Sequence, residues 1–224
     1  MYIGHYGAGL AGELFSKNKN GKRISLGTLL LASQFLDLLF PILVLAGIEK
    51  LKIEPGNTVL TPLNLFYYPF SHSFFAALVW AILFGTVYFL IRKNLRGSFL
   101  LGILVMSHWF LDFVTHKPDL QIIPWSEFRA GLGLWNHPVA AIILELIIFL
   151  VGFYFYIQAT KAKNMRGILA AWSLFVFLLL TYSANIFGSA PPSVEIFAYV
   201  GIFQIIIIAW AYWIDRNRTQ IIPE

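Results

Sequence analysis

MSHWFLDFVTHKPDLQ, residues 106–121, sets His108, Asp112 and His116 four residues apart inside an otherwise apolar segment. Each step of four turns a helix about 40° past a full revolution, so the three fall on one stripe. Pro118 ends the helix and Asp119 follows it. Ionisable residues inside a hydrophobic span are costly, and they face a protein interior or a water-filled cavity. Two imidazoles flanking a carboxylate at this spacing point to ligands for a divalent metal.

The rest of the chain supplies a membrane around that stripe. Of its 224 residues 58% are hydrophobic and 12% charged, about half the charge of a soluble domain. Several runs approach or exceed the roughly 18 apolar residues that span a bilayer. The expected fold is all-α: one polytopic membrane domain with spans at about 25–48, 71–91, 97–116, 137–159, 167–187 and 194–214. Residues 1–16 are apolar but too short to cross, and form an amino-terminal half-inserted helix whose Gly4, Gly7, Gly9 and Gly12 allow close packing. The net charge of +5 reflects basic loops that set topology, so no nucleic acid is expected. With no cysteine, thiolate ligands and disulfides are excluded.

Four clusters, at 17–23, 92–96, 161–166 and 216–218, hold 12 of the 16 Lys and Arg residues. Six spans put all four on one side, which the positive-inside rule makes cytoplasmic. The expected location is the cytoplasmic (inner) membrane of a bacterium or archaeon, with both termini inside. Depth can then be read from the clusters. His108 lies 12 residues from Arg96, Asp37 12 from Ser25 and His5 12 from Lys17. Each is roughly 18 Å along a helix, near mid-membrane. Asp112 and Glu145 lie slightly further out, and His72, His116 and His137 at the outer ends of their segments. The five histidines and three buried acids thus form one expected polar column.

Imidazole and carboxylate ligands suit zinc, and also manganese or iron. The expected metal ligands are His108, Asp112 and His72, with His5 and Asp37 completing the shell or orienting it. Asp37 could instead pair with Gln34 or Ser33. Glu145 is a candidate general base or a buried hydrogen-bonded acid, and His116 a candidate proton relay. His137 reads equally as a helix-start residue, and Asp119 as a helix terminator. Lys117 and Arg129, on the outer side, could meet an anionic head group or be solvated loop charges.

The order of these pieces resembles a known family. His5 with following glycines, an acid in the first span, Ser71-His72-Ser73, then Ser107-His108-x-x-x-Asp112-x-x-Thr115-His116 is similar to the YdjM-like bacterial membrane-bound, predicted metal-dependent hydrolases, over about residues 1–145. The family's first-span motif resembles Pro-Asp-x-Asp, whereas Gln34-Phe35-Leu36-Asp37-Leu38 carries one acid. Its His-Arg-x-x-Thr-His-Ser is represented here by Tyr68-Pro69-Phe70-Ser71-His72-Ser73, without the His-Arg. Both departures remove potential ligands and leave open a mononuclear site or none. More distantly, the ligand order is similar to that of zinc-dependent phospholipase C, which implies a phosphoester at a membrane as substrate.

The expected function is therefore metal-dependent hydrolysis of a membrane-associated substrate, such as a phospholipid, in a pocket open to the outer side. A transporter or proton/metal-ion conductor would use the same buried column. A cation path should continue to the cytoplasmic face, and segments five and six carry no buried charge. A structural or partner-binding membrane subunit is the third reading.

Overall fold

The protein is described by a computed structural model that covers residues 1–16 and 23–221. Lys17, Lys19 and Lys22 of the first basic cluster lie outside the described residues. The chain begins with α1 (Ile3–Ala11), continued by a 3-10 turn over Gly12–Phe15, then α2 (Leu26–Ser33) and α3 (Phe35–Leu45). A hairpin of β1 (Lys50–Ile53) and β2 (Leu63–Tyr67) leads to the single turn α4 (Pro69–His72), α5 (Phe74–Arg92) and α6 (Leu95–Thr115). Short strands β3 (Leu120–Gln121) and β4 (Arg129–Ala130) precede α7 (Pro138–Ala159). β5 (Thr160–Ala162), α8 (Met165–Phe187), α9 (Val194–Phe203), α10 (Ile205–Asn217) and β6 (Arg218–Gln220) complete it. The fold is mostly helical, as the apolar runs predict. Period-based reading missed the three small antiparallel sheets, because their strands are two to five residues long and pair through backbone.

Local chemistry sets the helix starts. Ser73, Asn94, Asn164 and Ser193 each accept the backbone N–H three residues on at the heads of α5, α6, α8 and α9. That satisfies one of the four donors a helix start leaves open. Pro138 opens α7, where its missing N–H costs nothing.

Five helices are long and apolar enough to cross a membrane: α5, α6, α7, α8 and the run Val194–Asn217, which has a turn at Gln204. The first expected span differs. α2 and α3 meet at Gln34 with a bend of 56°, and the two make a sixth span only if taken together. Around the bundle, Ile82, Ile103, Val139 and Leu180 are exposed, which is the apolar coat a bilayer requires.

Two apolar cores lie side by side. The first joins α1, α2, α7, α8 and α10 through residues such as Tyr6, Leu30, Phe149, Leu178 and Ile214. The second joins α2, α3, α5 and α6 through Leu29, Leu36, Phe40, Ala77, Leu101 and Trp109. α1 is buried, packed most extensively on α7. A Cβ on Gly152 would sit 2.1 Å from the Gly7 carbonyl oxygen, and one on Gly7 2.5 Å from that of Ile148. The two backbones touch because both positions lack a side chain. Gly152→Val is expected to destabilise the fold by about 1–3 kcal/mol, the usual cost of overpacking. The check is a thermal melt in detergent, and an unchanged midpoint would contradict this packing.

Candidate metal centre

Six ionisable side chains meet between the two cores. α6 contributes His108, Asp112 and, just past its end, His116. α1 contributes His5, α3 contributes Asp37 and α4 contributes His72. Asp112 is the hub, and its two oxygens divide the histidines. Oδ1 lies 3.0 Å from His5 Nε2 and 3.7 Å from His116 Nε2. Oδ2 lies 3.2 Å from His108 Nε2 and 3.7 Å from His72 Nε2. The Asp37 carboxylate is 3.5 Å from both His72 Nε2 and His108 Nε2. The His5 and His108 rings stack, with centroids 3.6 Å apart. The Met1 amino group also reaches Asp112 Oδ1, at 2.5 Å.

The far nitrogens of three imidazoles are tied down. His108 Nδ1 faces the Ser33 carbonyl at 2.8 Å. A carbonyl only accepts, so Nδ1 carries a proton, and Nε2 is left facing the carboxylates. The bend after Ser33 is what opens that carbonyl to a side chain. His72 Nδ1 lies 2.7 Å from Ser71 Oγ, which donates its own proton to Glu49 Oε2 at 2.6 Å. The hydroxyl oxygen therefore accepts from Nδ1–H. His116 Nδ1 faces Asp119 Oδ1 at 3.0 Å, and the Tyr68 hydroxyl donates to the same oxygen at 2.6 Å. Burial, with the Asp119 charge, holds the Tyr68 phenol well above its ordinary pKa, so it stays a donor. All three histidines thus present Nε2 to the two carboxylates, the arrangement that supporting groups impose on ligand histidines.

This donor set fits a divalent cation. His5, Asp37 and His108 form one group whose ligand atoms lie within 4.8 Å of one another, and His72, His108 and Asp112 form another. His108 Nε2 and His5 Nδ1 are buried without a hydrogen-bond partner. Such orphans are rare unless a ligand completes them.

Other sequence candidates lie elsewhere. Glu145 turns to the start of α1 and accepts the N–H groups of Tyr2 at 2.7 Å and Gly4 at 3.4 Å. A carboxylate there also faces the positive end of the helix. His137 is exposed at the head of α7 and does not join the cluster. The Gln34 amide has no hydrogen-bond partner among the described residues, so the alternative pairing of Asp37 with Gln34 does not form. Lys117 bonds to Asn57, and Arg129 donates to the Asp119 carbonyl at 3.3 Å. Both brace the connections between helices.

Sequence reading missed Glu49, which also accepts the N–H groups of Phe70 and Ser71 at 2.7 and 2.8 Å. An acid at the head of a loop gives no periodic signal, and only the β1–β2 hairpin brings it under α4. The Ser33 carbonyl carries no side-chain signal at all.

The YdjM inner membrane protein family matches residues 2–190, and the chain belongs to that family. No curated protein and no solved structure matches it.

The supporting contacts give a direct test. Ser71→Ala removes the acceptor for His72 Nδ1, and Glu49→Gln weakens the turn that carries it. Each is expected to lower zinc affinity by about 10–100-fold, read by competition with a chelator. Unchanged affinity in both would detach His72 from metal binding.

Proposed function

From that family membership and this geometry, we propose that the chain is a membrane-embedded metal-dependent hydrolase acting on a membrane-associated substrate. The observation that carries the reading is the common aim of three buried histidines: each has Nδ1 committed to a supporting group and Nε2 turned to Asp112 or Asp37. His108, Asp112 and His72 hold the ion, with Asp37 and His5 completing the shell. Zinc suits this oxygen and imidazole set, as do manganese and iron. When bound, the ion supplies Lewis acidity and an acidified water.

The protein's own groups do the rest. His116 lies between Asp112 and Asp119, with its Nε2 free to take a proton while Asp119 orients the ring. Glu145 anchors α1 and so keeps His5 at the cluster. A phosphoester such as a phospholipid is the substrate class the reading favours. The basic clusters put both termini on the cytoplasmic side of the inner membrane and the centre toward the outer side.

One observation favours transport as the second reading. One helical run breaks inside the membrane region, at Gln34, and broken helices line ion sites in many transporters. One turn toward the basic side, however, Leu29, Leu30 and Leu104 are buried among apolar side chains. A path for cations is closed there.

Metal analysis by mass spectrometry on detergent-purified protein decides between them, with a His108→Ala/Asp112→Ala double variant of equal monodispersity alongside. Near-stoichiometric metal in the wild type, lost in the variant, and phosphodiester hydrolysis that follows the metal, is expected. Wild-type protein that neither contains nor takes up metal would remove the hydrolase.

A further inference from the structure

The centre is sealed at its ends and open at its side. Five of its six ionisable side chains are 0–5% exposed, whereas Asp37 is 26% exposed. The outer end is roofed by connecting chain. The Trp135 ring lies 4.2 Å from that of His116. Gly133 N–H donates to the His116 carbonyl at 2.6 Å and Leu132 N–H to that of Phe113 at 2.8 Å. Leu60, between the hairpin strands, donates to the Trp135 carbonyl at 3.1 Å. Tyr68, His116 and Asp119 are all buried beneath this roof. The opposite end is closed by the leucines just described.

Asp37 sits where α3 crosses the seam between the two cores. Phe35 packs on the second core, and Leu38 on the first together with Tyr2, Leu179 and Ile186, all half-buried. Tyr2 donates its hydroxyl to Thr181 at 3.0 Å. The window is thus a carboxylate flanked along its own helix by the half-buried apolar side chains of Phe35 and Leu38. It lies on a helix whose next turn, at Ile42, is 52% exposed among lipid-facing side chains.

We propose that the centre is loaded sideways from the bilayer: a membrane lipid brings its head group to Asp37 past Leu38 and leaves its acyl chains outside the bundle. This deepens the hydrolase reading and rests on it for the chemistry, while the route itself stands on the window. An amphiphile matches both parts of the opening, polar at the back and apolar at the rim. A soluble substrate would have to displace the roof.

The chain has no cysteine, so Leu38→Cys can carry a single spin label, with Ile42→Cys as the lipid-facing reference. In vesicles of phosphatidylethanolamine and phosphatidylglycerol, the label at 38 is expected to collide with oxygen dissolved in the bilayer and not with an aqueous nickel chelate. Greater access for the chelate would overturn the proposal, because the window would then be a water channel. A second measurement plugs the rim with Leu38→Trp. Native mass spectrometry of protein extracted from the same vesicles should show phospholipid retained by the wild type and lost from Leu38→Trp, with metal content equal in the two. Equal lipid retention, or none in the wild type, would also overturn the proposal. Lipid lost on plugging from a protein that holds no metal would fault the hydrolase reading and leave the lateral route standing.

Discussion

A carboxylate buried at membrane depth has to be surrounded by positive or proton-donating groups, and Asp112 is that carboxylate. Removing a charge from water costs several kcal/mol even after the protein relaxes. Here the compensation comes from the Met1 amino group and from four histidines on two helices and one short turn. Because they arrive from three different parts of the chain, the path of the backbone follows from the demand. α1 is buried so that His5 can reach Oδ1. α4 is a single turn that carries His72 inward before α5 begins. The bend at Gln34 does two things at once, opening the Ser33 carbonyl to His108 Nδ1 and turning Asp37 toward Nε2 of the same ring.

The supporting layer explains why the loops are ordered. Glu49, Tyr68 and Asp119 lie in connections, yet Tyr68 and Asp119 meet the base of His116 directly and Glu49 reaches that of His72 through Ser71. The hairpin and the segment after α6 are tied together through Leu60 and Trp135. A roof built this way fixes imidazole orientation and also keeps bulk water from the cluster, which strengthens electrostatic interactions inside it.

Much of this was legible in the sequence, and for identifiable reasons. The four-residue spacing of His108, Asp112 and His116 is a helical signal, and the structure keeps all three beside one another. Counting residues from the basic clusters put His5, Asp37 and His108 at one depth, and the three do converge. Glu145 showed its burial but not its partner, because the backbone of α1 has no signature in the sequence. The span count was legible only as far as hydropathy reaches. The bend at Gln34 has only Ser33 and Gln34 as a polar interruption and no proline or glycine at the break, so hydropathy alone reads it as one helix. Glu49 and the three small sheets were invisible for a related reason: their role comes from closure of the chain in three dimensions.

X-ray absorption at the edge of the bound metal tests the central claim most directly. The account predicts a shell of nitrogen and oxygen at about 2.0–2.2 Å with the outer-shell scattering of at least two imidazoles, which weakens when His72 or His108 is replaced by alanine. A metal without imidazole scattering, or a spectrum that those replacements leave unchanged, would contradict it.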